Sequence, residues 1–177
     1  MTREQLEHLI RAAVDVVADD VVVIGSQSVL GAFPDAPSTL LRSMEADMYP
    51  RARLEQADLI DGALGDGSPF HSSYGYYAHM VGPETPIAPA GWEERLVLVE
   101  VAIRGGVARA WCMEPHDLVV AKLAAGRERD IDFADDAVRH GLVALPVLKE
   151  RAATLRPPHA ALVAARLVGV AARARGS

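Results

Sequence analysis

A short β-branched run near the N-terminus sets the strongest limit on how this chain can fold. Residues 21–24 (Val-Val-Val-Ile) are apolar at every position, whereas a strand with one face in water alternates apolar and polar residues. The run therefore predicts a buried central strand. Before it, apolar residues recur every three or four positions over residues 4–18, which predicts an amphipathic helix. Gly25 and Ser26 end the strand, and a short helix is predicted over residues 27–32.

Strands are concentrated in the first two thirds of the chain, and helices dominate the remainder. A second strand is predicted at 45–49, with its acidic residues on one face, followed by a hairpin with strands at 95–103 and 107–113. The remaining helices are predicted over residues 51–64, 115–125, 129–140, 146–155 and 158–174. This order predicts an α+β (mixed α/β) fold. Residues 1–113 would form the sheet core with its N-terminal helix, and residues 114–177 the helical C-terminal part of the same domain.

Residues 65–92 are predicted as a long loop rich in Gly, Pro, Ser and Tyr. A stretch of this length in a compact domain indicates either a functional lid or an unrecognised element. Tyrosines and histidines cluster at 68–79, where they could stack on a base or substrate, or cover the edge of the sheet. We favour the covering role. A metal site at His71 and His79 lacks a third ligand at suitable spacing.

The composition restricts the partners of the chain. Its 177 residues carry a formal net charge of −6, which argues against a broad nucleic-acid surface. The single cysteine, Cys112, allows neither an internal disulfide nor a cysteine-based zinc site. No apolar run approaches the roughly 20 residues of a membrane helix, and the charged start does not resemble a signal peptide. We therefore expect a cytoplasmic protein with no membrane contact.

Two short polar motifs carry the strongest chemical signal. A glycine that leaves a buried strand lets backbone N–H groups approach an anion, and Ser26 after Gly25 adds a hydroxyl. Glu45 and Asp47, two positions apart on a strand, point to the same side and could bind Mg²⁺ that is bridged to substrate phosphates. Taken singly, the first motif is most often a turn and the second a solvated strand face. Together they predict a phosphate-binding turn opposite a metal site.

These motifs resemble the nucleotidyltransferase fold. Ile24–Ser26 and Arg42–Asp47 are similar to its pattern, a hydrophobic residue with Gly-Gly/Ser followed by Ser/Thr-x-Asp-x-Asp. The stretch Met113–Asp130 is similar to a segment of small bacterial members, which include uncharacterised nucleotidyltransferases and relatives of AbiEii-type abortive-infection toxins. The resemblance covers roughly residues 20–140. It implies a mixed sheet with flanking helices.

The resemblance also implies roles for individual residues. Gly25 and Ser26 would hold nucleotide phosphate, and Glu45 and Asp47 would hold Mg²⁺. Lys122 would face the nucleotide or the acceptor. The chain departs from the pattern at Glu45, since the family usually has Asp at that position.

Two further site residues, Glu100 and Arg127, are predicted less directly, and Lys122 has an alternative interpretation. Glu100 is the candidate by position for the third carboxylate of the fold, which would activate the acceptor hydroxyl. Lys122 could contact phosphate or could be a lysine at the rim of an apolar helix face. Arg127 could add charge to a triphosphate site or could form only a solvated ion pair with the nearby Asp130.

Two functions from different classes remain open. The first is a Mg²⁺-dependent nucleotidyltransferase that transfers NMP from an NTP to an unknown acceptor. The second is a catalytically degenerate nucleotide-binding or protein-interaction module, such as a toxin–antitoxin component, with a partner protein or a second copy bound through the C-terminal helices. A dinucleotide-binding fold is disfavoured because residues 25–31 do not match G-x-G-x-x-G. A hydrolase nucleophile elbow is equally unsupported.

Overall fold

The fold is built on a five-stranded mixed sheet, seen in a computed structural model that describes residues 1–175. The strand order is β3-β2-β1-β5-β4. The strands are β1 (Val21–Ile24), β2 (Glu45–Pro50), β3 (Tyr77–Met80), β4 (Val97–Ile103) and β5 (Gly106–Cys112). β1 is antiparallel to β2 and parallel to β5, while β2 is parallel to β3 and β4 is antiparallel to β5. The α+β prediction is confirmed.

Helices flank this sheet and form the C-terminal part of the chain. Those before the last strand are α1 (Arg3–Val17), α2 (Val29–Ala32), α3 (Ala57–Leu64) and α4 (Pro69–Tyr74). Those after it are α5 (Pro115–Ala125), α6 (Glu128–Arg139), α7 (Leu145–Ala152) and α8 (His159–Arg175). Short 3₁₀ turns precede α2 at Ser26–Ser28 and α3 at Leu54–Gln56.

The central position of β1 follows from its sequence. All four of its side chains are buried, as the continuous apolar run predicted. β2 instead alternates at its start, with Ala46 and Met48 buried and Glu45 and Asp47 partly exposed. The buried apolar strand β1 is therefore paired with β2, which presents two carboxylates on one face.

The C-terminal helices pack on one another, and α5 also contacts α2 and the turn that follows β1. Pro115 begins α5, and the Glu114 side chain accepts hydrogen bonds from the first free N–H groups of that helix. α5 contacts α6, α7 and α8, and buries Leu118, Val119 and Leu123 among them. Because α5 is capped at its N-terminus and packed against three helices, its position relative to them is well defined.

The stretch at 65–92 contains two elements that were not predicted. Ser68 accepts a hydrogen bond from the His71 N–H and so caps α4, and the chain then enters β3 at the edge of the sheet. The alternative of an unrecognised element is therefore the correct one. None of the helices within residues 1–175 is both long and apolar enough to cross a bilayer.

Candidate functional site

Two neighbouring strands present matched pairs of polar side chains. The sequence Glu-Ala-Asp-Met of β2 lies in register with Tyr-Ala-His-Met of β3, so that Glu45 pairs with Tyr77 and Asp47 with His79. The alanines between them are fully buried. Because paired residues of adjacent strands share a face, all four polar side chains lie on one side of the sheet. They form a polar strip across two strands.

The glycine after β1 allows an unusually close approach to this strip. Gly25 has φ +67°, and a Cβ built on it would lie 2.1 Å from Oδ2 of Asp47. Any larger residue would therefore displace the carboxylate as well as strain the backbone. The turn is closed by Ser28, whose hydroxyl donates to the Gly25 carbonyl over 2.8 Å. Asp47 and Gly25 are therefore in close contact at the start of this turn.

A cleft of about 310 Å³ opens between this turn and the helix pair α5–α6. Its floor includes Glu45 and Asp47 of β2, and Ser26 stands at the turn after β1. The other lining residues are Thr39, Leu40, Arg42, Ser43, Lys122, Arg127, Arg129, Asp130, Asp132 and Phe133. Carboxylates and cations thus face the same space.

A buried carboxylate organises the cations on the helical wall. Asp130 is 1% exposed and accepts bonds from Lys122 Nζ at 3.3 Å and Arg127 Nε at 2.7 Å. Burial opposes ionisation, but these two cations outweigh it and hold the pKa of Asp130 below its ordinary value. Burial lowers the pKa of Lys122, while Asp130 acts in the opposite direction. Lys122 also lies over the ring of Phe133, 4.7 Å from its centroid.

The helix ends explain why these cations meet. α5 ends at Gly126, whose φ of +69° turns the chain so that Arg127 precedes α6 directly. Asp130 in the first turn of α6 then faces back toward Lys122 in the last turn of α5. The stretch that resembles the nucleotidyltransferase segment therefore forms one wall of the cleft.

The strip on β2 and β3 is tied together by two hydrogen bonds. The Tyr77 hydroxyl donates to Oε2 of Glu45 over 3.0 Å, and this bond raises the pKa of Tyr77. Nδ1 of His79 lies 2.9 Å from Oδ1 of Asp47, and this hydrogen bond raises the pKa of His79. The His79 side chain remains 55% exposed. A tyrosine and a histidine therefore stand beside the two carboxylates on the side away from β1.

The structure does not bring Glu100 to the cleft. Glu100 lies on the edge strand β4, three strands from β2, and accepts a hydrogen bond from Arg109 over 3.0 Å. Through the registers of β4, β5 and β1, Glu100 lies at the height of the end where β1 begins, whereas Asp47 pairs with Ile24 at the last residue of β1. The separation both along and across the sheet corrects the expectation that Glu100 supplies a third carboxylate beside Glu45 and Asp47.

Other residues of the site were not among the site residues predicted from the sequence, although the cluster at 68–79 and Arg42 had been noted. Arg42 and Thr39 line the cleft, and Tyr77 and His79 complete the polar strip. The signal for the last two was the alternation of Tyr-Ala-His-Met, which repeats the pattern of Glu-Ala-Asp-Met. No comparable signal marks Thr39.

The donor set is suited to a hard cation that is shared with a ligand. Glu45 and Asp47 offer carboxylate oxygens, which Mg²⁺ prefers, and Mg²⁺ commonly binds through one or two carboxylates plus substrate phosphates and water. Over residues 1–175 there is no cluster of three or more His, Cys, Asp or Glu side chains arranged to hold a metal ion. The two carboxylates therefore fit a cation that arrives with a phosphate ligand better than a permanent protein-enclosed metal.

Comparison with known proteins adds a family to this geometry. No curated protein and no solved structure matches the chain significantly. Residues 3–157 match a family model described as "Nucleotidyltransferase of unknown function (DUF6036)". The match spans β1, β2, the polar strip and both helices that form the cationic wall. The chain therefore belongs to this family of nucleotidyltransferases of unknown function.

Proposed function

We propose that this protein transfers a nucleoside monophosphate from an NTP to the hydroxyl group of an acceptor. The observation that carries the proposal is the pair Glu45 and Asp47, which faces the cations Lys122 and Arg127 across one cleft, in a chain of a nucleotidyltransferase family. Phosphoryl chemistry of this kind depends mainly on positioning and on stabilising charge. The cleft offers groups for both tasks.

The triphosphate would lie between the turn after β1 and the helical wall. Ser26 lines the cleft, and its hydroxyl can donate to a phosphate oxygen. Gly25 would contribute indirectly, because its missing side chain makes room for the Asp47 carboxylate beside this turn. Lys122 and Arg127 would add charge-assisted hydrogen bonds. Asp130 orients both of these cations before the ligand arrives, which lowers the entropic cost of placing them.

Glu45 and Asp47 would hold Mg²⁺ together with the phosphates. The ion would neutralise phosphate charge and polarise the phosphorus–oxygen bond that breaks. Glu45 is one methylene longer than the Asp found in the related pattern, and the hydrogen bond from Tyr77 restrains its carboxylate. This restraint would limit the additional freedom of the longer side chain.

The acceptor would enter beside β3. Its oxygen attacks the α-phosphorus, the bond to the β-phosphate breaks, and pyrophosphate leaves. His79 would accept the hydroxyl proton, because its hydrogen bond to Asp47 engages Nδ1, its other ring nitrogen could then act as the base, and its side chain is 55% exposed. An aspartate that orients an imidazole in this way is a known device for fixing its tautomer. We therefore assign to His79, rather than to Glu100, the activation of the acceptor hydroxyl.

The second candidate function is a nucleotide-binding module without transfer activity. It is favoured by the absence of a third carboxylate in the metal-holding group, as far as residues 1–175 describe it. Such a module could belong to a toxin–antitoxin pair of the AbiEii type, with a partner protein or second copy on the C-terminal helices. α8 exposes Leu162 and Val168 there, at 45% and 69%. Either function fits the cytoplasmic location expected from the sequence.

The test is binding and transfer with radiolabelled NTPs, Mg²⁺ and a mixture of small acceptors, RNA and protein. The Asp47→Asn variant should lose Mg²⁺-dependent NTP binding and label transfer. The matched control is Glu100→Gln, which changes a carboxylate of the same sheet that lies outside the cleft. It should keep both properties.

The outcomes separate the two functions. Label transfer that is lost in Asp47→Asn supports the enzyme, whereas Mg²⁺-dependent binding without transfer to any acceptor supports the module. Equal NTP binding by Asp47→Asn and the unmodified protein would show that the metal assignment is wrong.

A further inference from the structure

A second, apolar pocket of about 150 Å³ opens beside the polar cleft. It shares Asp47, Lys122 and Arg127 with that cleft, and Gly25, the neighbour of Ser26 in the turn after β1, also lines it. The remaining lining residues are Ile24, Thr85, Pro86, Ile87, Met113, Leu118, Ala121 and Ala125. The two spaces are therefore continuous along the residues that the proposed function places at the phosphates.

The chemistry of this pocket differs sharply from that of the cleft. Apart from the shared residues, its side chains are apolar, with the single exception of Thr85. The Thr85 hydroxyl accepts a hydrogen bond from the Gly82 N–H over 3.2 Å and still has its own O–H to donate. Apart from this hydroxyl and the shared charged residues, which the proposed function assigns to the metal and the phosphates, no polar side chain is among the lining residues that the structure describes to orient a polar ligand. Such a surface is suited to a flat apolar group that is held by dispersion and by release of water.

The volume of the pocket indicates the size of the group that it could hold. A cavity of similar volume lined by aliphatic and aromatic side chains is known to bind a single benzene ring. The pocket is open on one side, so a larger ring can extend from it toward solvent. A heterocycle joined to a phosphate chain therefore matches both spaces, with its ring in the apolar pocket and its phosphates in the cleft.

We propose that the apolar pocket holds the nucleobase of the NTP, and that it does so with little discrimination between bases. The inference rests on the proposed function and names the substrate class more closely. A site rejects a wrong polar group strongly only when its own buried hydrogen-bonding groups are left unpaired. Since this pocket offers few such groups, ATP and GTP should bind with affinities within about tenfold of each other.

The experiment compares ATP, GTP and inorganic tripolyphosphate, each with Mg²⁺, by titration calorimetry. Ile87→Asn places a polar amide at the pocket, and Ala125→Leu fills it from an exposed helix position. Ile103→Asn is the control, because Ile103 lies at the far hairpin and is 40% exposed against 39% for Ile87. Neither asparagine variant adds charge, so phosphate binding is not altered electrostatically.

The unmodified protein should bind both nucleotides more tightly than tripolyphosphate. Ile87→Asn and Ala125→Leu should weaken both nucleotides at least fivefold and leave tripolyphosphate unchanged, as one lost apolar contact of about 1 kcal/mol implies. Ile103→Asn should change none of the three affinities.

Several results would overturn the inference alone: tripolyphosphate that binds as tightly as ATP, nucleotide affinities unaffected by either pocket variant, or a preference between ATP and GTP above about tenfold. Absence of binding for all three ligands would overturn the proposed function together with it. The two failures are therefore distinguishable by whether tripolyphosphate binds.

Discussion

Two buried aspartates, one on α5 and one on α6, are held between two cations each, yet they serve different parts of the molecule. Asp130 is 1% exposed and binds Lys122 and Arg127 at the wall of the cleft. Asp117 is fully buried and binds Arg95 at 2.7 Å and Arg151 at 3.1 Å. Neither Asp117 nor its two partners line the cleft.

The two clusters differ in the surroundings of their cations. Arg95 and Arg151 belong to the segment before β4 and to α7, so the Asp117 cluster joins three parts of the fold. Arg95 also donates to the Ala90 carbonyl over 3.0 Å. Lys122 and Arg127 instead border an open space. The same grouping of charges therefore fixes the chain in one place and prepares a ligand site in the other.

The largest expected effect comes from breaking the first cluster. Asp117→Ala leaves two partly buried guanidinium groups without their carboxylate, and should lower the free energy of unfolding by about 3–5 kcal/mol. Denaturant unfolding measures this loss. The comparison is Asp117→Asn, which keeps the shape and part of the hydrogen bonding and should lose less. A loss below about 1 kcal/mol for the alanine variant would contradict the structural role.

The second cluster should respond in binding rather than in stability. Lys122→Ala removes a charge-assisted contact to phosphate and should weaken NTP affinity about tenfold to a hundredfold, as a loss of roughly 1.5–3 kcal/mol implies. Asp130 keeps Arg127 as a partner, so the loss of unfolding free energy should be smaller than in Asp117→Ala. The control is Lys149→Ala, which removes the other lysine of the chain at an exposed position of α7. Equal affinities for the two variants would contradict the role of Lys122.

Part of the fold could be predicted from the sequence. The β-branched run of β1 and the alternation of β2 were readable because burial imposes those patterns on a strand. β3 was missed because four residues amid Gly and Pro carry too weak a periodic signal; its pairing with β2 defines it. α4 could have been recognised, since Ser68-Pro69 is a typical helix start.

For the site, local motifs were readable and distant partners were not. Gly25, Asp47 and Lys122 stood out by residue type and spacing, and the fold brings them to one region. Glu100 was chosen because of its position along the chain. Which strand lies next to β2 depends on the strand order and register of the sheet, and a local sequence pattern predicts neither of these. The same limit concealed the partnership of Asp117 with Arg151, 34 positions away.

The pH dependence of stability should also distinguish the two clusters. Burial raises the pKa of Asp117 from its ordinary value of 3.8 to about 6, although Arg95 opposes the shift. The folded state then binds this proton more tightly than the unfolded chain, so this contribution is complete below about pH 4 and is lost as the pH rises through 6. Asp130, with a lowered pKa, contributes the opposite slope at lower pH.

Denaturant unfolding from pH 4 to pH 7 measures this contribution. In Asp117→Asn, the decline in stability between pH 4 and pH 6 should become shallower, because that residue no longer titrates. An unchanged profile would mean that Asp117 titrates alike in the folded and unfolded states.

The smallest effect on stability is expected at the exposed end of the Asp130 cluster. Arg127 is 61% exposed and Lys122 remains as a partner of the buried Asp130, so Arg127→Ala should change the free energy of unfolding less than the other variants do. Arg139→Ala is the matched control, since Arg139 forms a pair of the same spacing with Asp136 on the same helix, outside the cleft. Arg127→Ala should weaken NTP binding severalfold, and Arg139→Ala should leave it unchanged. A loss of affinity in both variants would indicate only the general field of the helix, whereas a loss confined to Arg127 would place that guanidinium at the phosphates.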